Sequence, residues 1–475
     1  MLFSSLEFLF LFLPIVLAVY FILPHRARNY WLFLASLFFY AWGEPGFVIA
    51  MLFSIVFNYF VALRIEELEK GSGARKFMLV LAVLVNLGIL FVYKYMNFVT
   101  GILQEPMAKL GIEITKTEFV LPIGISFFTF QALSYVIDVY RGIPAQKKFC
   151  YLGLYIALFP QLIAGPIVRY TTIMDEMDRR EISWDDFSAG MMRFLRGFNK
   201  KVLLANLLSK VADAAFGATE LSVGLAWLGA VAYALQIYFD FGGYSDMAIG
   251  LGRMFGFHFL ENFNFPYISK TVTEFWRRWH ISLGTWFRDY VYFPLGGSRV
   301  NSKLRLLFNL AVVWMATGIW HGANWTFIFW GILHGSVIIV EKMFGLPNKL
   351  EKKKWLSVGY QIVTMLVVLL GWVFFRAESL SQGANYIKSM FALKQNGWMN
   401  DTTIFYYREY AVLLVAGIVC ALPVLKNLGE RFTKKGPRFA ACGEAIGSVI
   451  QFALFLVGVS YLVMNAHNPF IYFNF

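Results

Sequence analysis

The chain has 475 residues, of which 59% are hydrophobic, 19% aromatic and only 15% charged. A soluble domain has roughly 45–50% apolar and about 25% charged residues, so a soluble enzyme, a disordered chain, a secreted disulfide scaffold and a repeat array are all poor fits and a polytopic membrane protein remains. The net charge of +13 falls in short clusters beside apolar runs, as in positive-inside loops, with no motif of a nucleic-acid reader to accompany it.

The N-terminal stretch MLFSSLEFLFLFLPIVLAVYFILP has no basic leading region and no small-residue cleavage site, and so reads as a retained span. Further apolar runs lie at about 30–42, 46–63, 77–99, 118–137, 150–168, 221–240, 304–320, 324–341, 356–375, 409–425 and 447–464. With ambiguous pieces at 190–210 and 263–295, roughly 11–13 membrane segments are expected, some of them re-entrant. The expected fold is all-α, a single membrane-embedded domain over residues 1–475. The loops carrying Arg26 and Arg28, the four bases within 64–76, and Lys349 with Lys352 to Lys354 are predicted on the cytoplasmic side, and the N-terminus outside.

Residues 240–300 depart from this pattern. DFGGYSDMAIG, NFNFPYISK and EFWRRWHISLGTWFRDYVYFPLGGSR mix aromatic anchors with Arg, Asp, Glu and His. Each ion facing hydrocarbon would cost on the order of 2.5–3.5 kcal/mol, so this backbone must line a cavity or lie buried in protein. The functional site is expected here.

Six histidines are present. His25 and His467 are expected to be solvated or interfacial, and His258 structural. His321 ends the uncharged run LLFNLAVVWMATGIW, with Gly318 and Gly322 leaving room for a substrate or another backbone. Its neutral imidazole suits a general base; a packed core histidine is the other reading. Asn324, at i+3, is its expected same-face partner on a continuous helix. His334, 13 residues on, would then point about 220° away, which gives it a packing role. A metal site is not expected, because the histidines lack a ligand spacing such as HExxH. Cys150, Cys420 and Cys442 form no CxxC pair.

Glu274-Phe275-Trp276-Arg277-Arg278-Trp279-His280 is either an interfacial helix with snorkelling arginines or a polyanion cradle beside an imidazole. Trp276, Arg277 and Arg278 are therefore donor-binding candidates, as are Asn324 and the intramembrane acids Asp240 and Asp246. The two acids bracket a glycine pair expected to break the helix. They bind an ion, pair with Arg277 or Arg278, or hold a histidine in one tautomer.

FDFGGYSDMAIGLGRMFGF, NFNFPYISKTVTEFWRRWHISLGTWFRDYVYFPLGG and GIWHGANWTFIFWGILHG resemble the central signature of the membrane-bound O-acyltransferase (MBOAT) family. The signature core spans about 233–341. The resemblance runs from LFSSLEFLFLFLPIV to NPFIYFNF and is strongest to the bacterial branch that O-acetylates alginate and other cell-surface polysaccharides. It implies a ring of transmembrane and re-entrant helices around a trans-bilayer tunnel in the bacterial cytoplasmic membrane. It places the family's histidine at His321 as general base and a second one at His280. It also implies acetyl-CoA as the cytosolic donor, with Arg277 or Arg278 near its phosphates and no permanently bound cofactor. The acceptor would be carried by an extracytoplasmic SGNH-type acetyltransferase that serves a polysaccharide. Phe470 to Phe475 either dock that partner or pack at the interface. D-alanyl transfer toward teichoic acid from a carrier-protein thioester is the alternative within the family. An ion-coupled transporter is the alternative outside it, although no inverted repeat is evident.

Overall fold

The computed structural model describes residues 1–115, 117–393, 397–464, 468 and 471. His467, Phe470 and residues 472–475 lie outside the described residues. Within them the chain is helical, with no strand, as a backbone in hydrocarbon requires when each N–H and C=O must pair inside its own segment.

Among the described residues, eight helices are long and apolar enough to cross a membrane: Pro45–Glu67, Gly73–Lys109, Val223–Met254, Lys303–His321, Trp325–Met343, Trp355–Arg376, Asp401–Ala421 and Pro437–Val463. Polar caps fix several boundaries. Ser72, Thr271, Asn324, Ser379 and Asn400 each accept a backbone N–H from the first turn that follows. The first apolar run gives a shorter helix than its length suggests, Phe8–Ile22. It stops before Pro24, which precedes the next helix, His25–Gly43.

Two other runs are interrupted. The 118–137 run becomes helical only at Ile125, after Gly124 in the left-handed region (φ 76°). A β-carbon at Gly124 would lie 2.6 Å from the Leu162 carbonyl oxygen, so close backbone approach sets the break. The 150–168 run divides at Leu158 into Phe149–Ala157 and Phe159–Leu162, buried from Tyr151 onward.

The chain forms two compact units: Met1–Met191 with Ala248–Leu260, and Met192–Met247 with Glu261–Phe475. In the first, Phe8, Phe12, Phe39 and Phe159 pack ring against ring, and buried Asn58 and Asn86 exchange side-chain hydrogen bonds of 3.0 and 2.8 Å. Such amide pairs join helices where hydrophobicity gives no drive between them. His258 is exposed, its Nδ1 2.7 Å from Glu176 Oε1, and its backbone N–H donates to Glu176 Oε2 at 3.0 Å, a surface contact within the first unit.

The ambiguous 190–210 piece is helical throughout, Trp184–Asn199 passing through a π-turn at Lys200–Ala205 into Asn206–Phe216. The 263–295 piece resolves into short helices at Pro266–Ile268, Val272–Arg278, Ile281–Phe287 and Arg288–Tyr292. The expected break at Gly242-Gly243 does not occur, because Val223–Met254 runs through both. Gly243 serves approach instead. A β-carbon there would lie 2.7 Å from the Gly197 carbonyl oxygen and 3.1 Å from the Lys201 amide nitrogen, so two backbones touch where glycine leaves space.

Candidate active site

Lys303–His321 ends at its histidine because Gly322 turns extended (φ −175°, ψ 158°). Asn324 then caps Trp325–Met343, its side-chain oxygen accepting the Thr326 N–H at 3.1 Å. The two helices pack closely at glycines: a β-carbon on Gly318 would lie 2.7 Å from the Phe327 carbonyl oxygen, and one on Gly331 2.7 Å from that of Trp314. The room beside His321 at Gly318 is thus filled by backbone. Asn324 is not a same-face partner of His321, since the helix stops between them, and its amide donates to the Glu378 carbonyl at 3.0 Å. The same break removes the premise of the 220° separation from His334.

His321 is 5% exposed and packs against Trp320, Trp330 and Phe375, with ring centroids 5.0, 4.8 and 5.2 Å away. His334 is also buried against Trp330, at 5.1 Å. Its Nδ1 lies 3.0 Å from the Trp330 carbonyl, and the Trp276 ring stands perpendicular to it at 5.2 Å. That is the packing role expected of it.

His280 sits between Val272–Arg278 and Ile281–Phe287 in the left-handed region (φ 45°, ψ 55°), uncommon for a residue with a β-carbon. It is 2% exposed. Its Nδ1 is 3.1 Å from Asn262 Oδ1, an oxygen that also accepts the Ser282 N–H at 3.2 Å and hydroxyl at 2.9 Å. The Asn262 amide donates to Ser245 Oγ at 3.0 Å. This network makes Nδ1 the protonated nitrogen and leaves Nε2 its lone pair, buried without a hydrogen-bond partner among the described residues. Burial pushes the imidazole down to about 3, so it is neutral near pH 7. The Trp320 ring is common to both histidines, its centroid 6.1 Å from that of His280 and 5.0 Å from that of His321.

The acids have partners other than those expected. Asp240 pairs with Lys201 at 2.7 Å, both side chains 2% exposed, and accepts the Ile471 N–H at 2.8 Å. Asp246 lies 2.8 Å from Arg193 and 2.6 Å from Lys200, and Arg193 also meets Glu261. Neither acid pairs with Arg277 or Arg278. Arg278 bonds Glu274 at 2.9 Å and the Asn264 carbonyl at 3.1 Å, whereas Arg277 is exposed. Trp276 belongs to an aromatic cluster with Trp314 and Trp330, its centroid 5.1 and 5.2 Å from theirs. Among the described residues no group of three or more His, Cys, Asp or Glu side chains is arranged to hold a metal ion.

Sequence reasoning missed Asn262, Trp320, Lys201 and Glu341. Glu341 is fully buried, and its two oxygens accept the Val272 and Thr273 N–H groups at 2.7 and 2.8 Å. It anchors the start of the segment that carries Trp276 and ends at His280. The signal was there, an acid inside the apolar run VIIVEKM. Two buried imidazoles against one indole are groups that can accept and return a proton.

The profile of the MBOAT, membrane-bound O-acyltransferase family, matches residues 105–377, more than half of the chain, and encloses this site. The chain is 46% identical over 459 residues to the probable alginate O-acetylase AlgI of Pseudomonas aeruginosa, covering 94% of this chain and 86% of that protein. It is 32% identical to the peptidoglycan O-acetyltransferase of Helicobacter pylori, over 100% of this chain and 98% of that protein. A teichoic acid D-alanyltransferase of Streptococcus thermophilus is 26% identical, over 59% of this chain and 74% of its own length. The chain belongs to the membrane-bound O-acyltransferase family and is a multi-pass membrane acyltransferase.

Proposed function

We propose that the protein takes acetyl from cytosolic acetyl-CoA and passes it across the bacterial cytoplasmic membrane for O-acetylation of an extracytoplasmic polysaccharide. The observation that carries the reading is the pair of buried imidazoles, His280 and His321, on one indole of a membrane-embedded helical unit. The similarity over nearly the whole chain to relatives named for O-acetylation supports acetyl as the cargo. The less extensive similarity to a D-alanyltransferase makes that reading the weaker one.

In the proposed step, His321 removes the proton of an acceptor hydroxyl as its oxygen attacks the thioester carbonyl carbon. The tetrahedral intermediate collapses, the C–S bond breaks, and the proton returns from imidazole to the leaving CoA sulfur. His280, held in one tautomer by Asn262, presents its Nε2 to the same region. Arg277, exposed and outside the ion pairs described above, suits a CoA phosphate better than Arg278, which already has Glu274. The acceptor is carried by a separate extracytoplasmic acetyltransferase of the SGNH type. The basic loops lie in the cytosol and the N-terminus outside.

Inside-out membrane vesicles from the native host, given acetyl-CoA labelled in its acetyl group, test this. Label should reach lumenal protein or polymer with the wild-type chain and fail to do so with His321→Ala at matched expression. Equal transfer by both would remove His321 from the chemistry. Transfer by neither, in vesicles shown to retain the partner, would point to a different acyl donor.

A further inference from the structure

The segment between Asp401–Ala421 and Pro437–Val463 is a second helix type with no part in the site. Val424–Thr433 is only 10 residues long, about 15 Å, too short to cross a bilayer. Val424, Leu425, Leu428 and Phe432 are all exposed. At about 100° per residue they share an arc of roughly 100°. Lys426, Asn427, Glu430 and Lys434 occupy the remainder. From Val424 to Arg438 there are five bases, Lys426, Arg431, Lys434, Lys435 and Arg438, against one acid, Glu430, and each of these six is exposed.

Topology says what covers the apolar face. The helix begins three residues after one spanning helix ends and stops four residues before the next begins, so it sits at the membrane surface. The helices on either side present Val412, Val415, Val449 and Phe452 as exposed apolar side chains, just as this helix exposes Val424, Leu425, Leu428 and Phe432. Trp355–Arg376 and Asp401–Ala421 cross and recross the membrane, so this helix shares a side with Lys352 and Lys353. That is the side the positive-inside rule assigns to the cytosol, where the leaflet surface is negative.

We infer that Val424–Thr433 is an in-plane amphipathic helix that binds anionic phospholipid, its apolar arc buried at the acyl boundary and the Lys426-to-Arg438 bases on the lipid phosphates. Basic charge above an apolar face matches an anionic lipid surface and is wasted on a zwitterionic one.

Hydrogen exchange of the full-length protein in nanodiscs tests it. The discs are made of phosphatidylcholine alone or of phosphatidylcholine mixed with phosphatidylglycerol. Amide exchange in the peptide covering Val424–Thr433 should slow at least about threefold in the mixed discs and return toward the neutral-disc rate in high salt. Replacing Lys426, Arg431, Lys434 and Lys435 together by Gln, all on the surface, should abolish the difference while other peptides exchange as before. Equal exchange in the two discs would overturn the inference. So would equal slowing in neutral discs given inorganic phosphate or free CoA, which would make the bases a site for a soluble phosphate.

Discussion

Lys201 Nζ lies 2.7 Å from Asp240 Oδ1, with each side chain 2% exposed, and the other Asp240 oxygen holds the backbone N–H of Ile471 at 2.8 Å. The carboxylate thus joins a π-turn, a long buried helix and the chain's C-terminal segment. Removing one partner strands the other charge in a dry interior, at about 3–5 kcal/mol. Lys201→Ala and Asp240→Ala should each shorten the half-life of the detergent-solubilised protein on heating. Lys201→Met with Asp240→Leu should cost less than either single change. A double variant as unstable as the singles would show that the pair is not the unit of stability.

Neighbouring glycines should respond with opposite sign. Gly243→Ala places a methyl group 2.7 Å from the Gly197 carbonyl oxygen, an overpacking worth about 1–3 kcal/mol. Gly242→Ala finds its nearest atom at 3.8 Å, and gains up to about 1 kcal/mol of helix propensity. Thermal aggregation midpoints followed by size-exclusion chromatography should fall for the first and hold or rise for the second.

Glu341 is a positioning residue for the Val272–Arg278 helix. Glu341→Gln retains one carbonyl acceptor, whereas Glu341→Leu leaves two buried N–H groups without acceptors, at about 1–3 kcal/mol each. Acyl transfer should survive better in the first than in the second. Equal loss in both would mean that the charge, and not the two hydrogen bonds, is what matters.

His280 separates backbone from side chain. Its φ of 45° disfavours alanine by about 1 kcal/mol relative to glycine, so His280→Gly should be more stable than His280→Ala while both lose transfer. The imidazole's ordinary value of 6.5 falls to about 3 in the folded chain. Between those values the unfolded chain binds a proton that the folded chain refuses, so stability falls as pH drops through that window. His280→Gln should flatten the pH dependence of stability there by about one proton.

What the sequence disclosed follows from what is local. Long uncharged runs identify the spans, and the ions among the aromatics of 240–300 had to be buried because lipid is too costly a neighbour. His280 and His321 stood out on those grounds. Partnerships were hidden, because they are settled by residues far apart. Asp240 takes Lys201 from a stretch too mixed to classify, and His280 takes Asn262. The Gly242-Gly243 pair was misjudged for a related reason. A largely buried helix can carry two glycines unbroken when another backbone needs the space. The reversal at Gly322 turns on one extended residue, which no helical periodicity reveals.

Glu341 also bears on the order in which the chain can be assembled. Val272 and Thr273 precede it by 69 and 68 residues, so they have left the ribosome before the acid does, while Tyr360, its third contact at 3.2 Å, comes later. A growing chain can therefore lower Glu341 into the bilayer with its two backbone donors already made. Glycosylation mapping of Trp325–Met343, alone and behind residues 261–324, would show insertion rising with the upstream segment if that order holds.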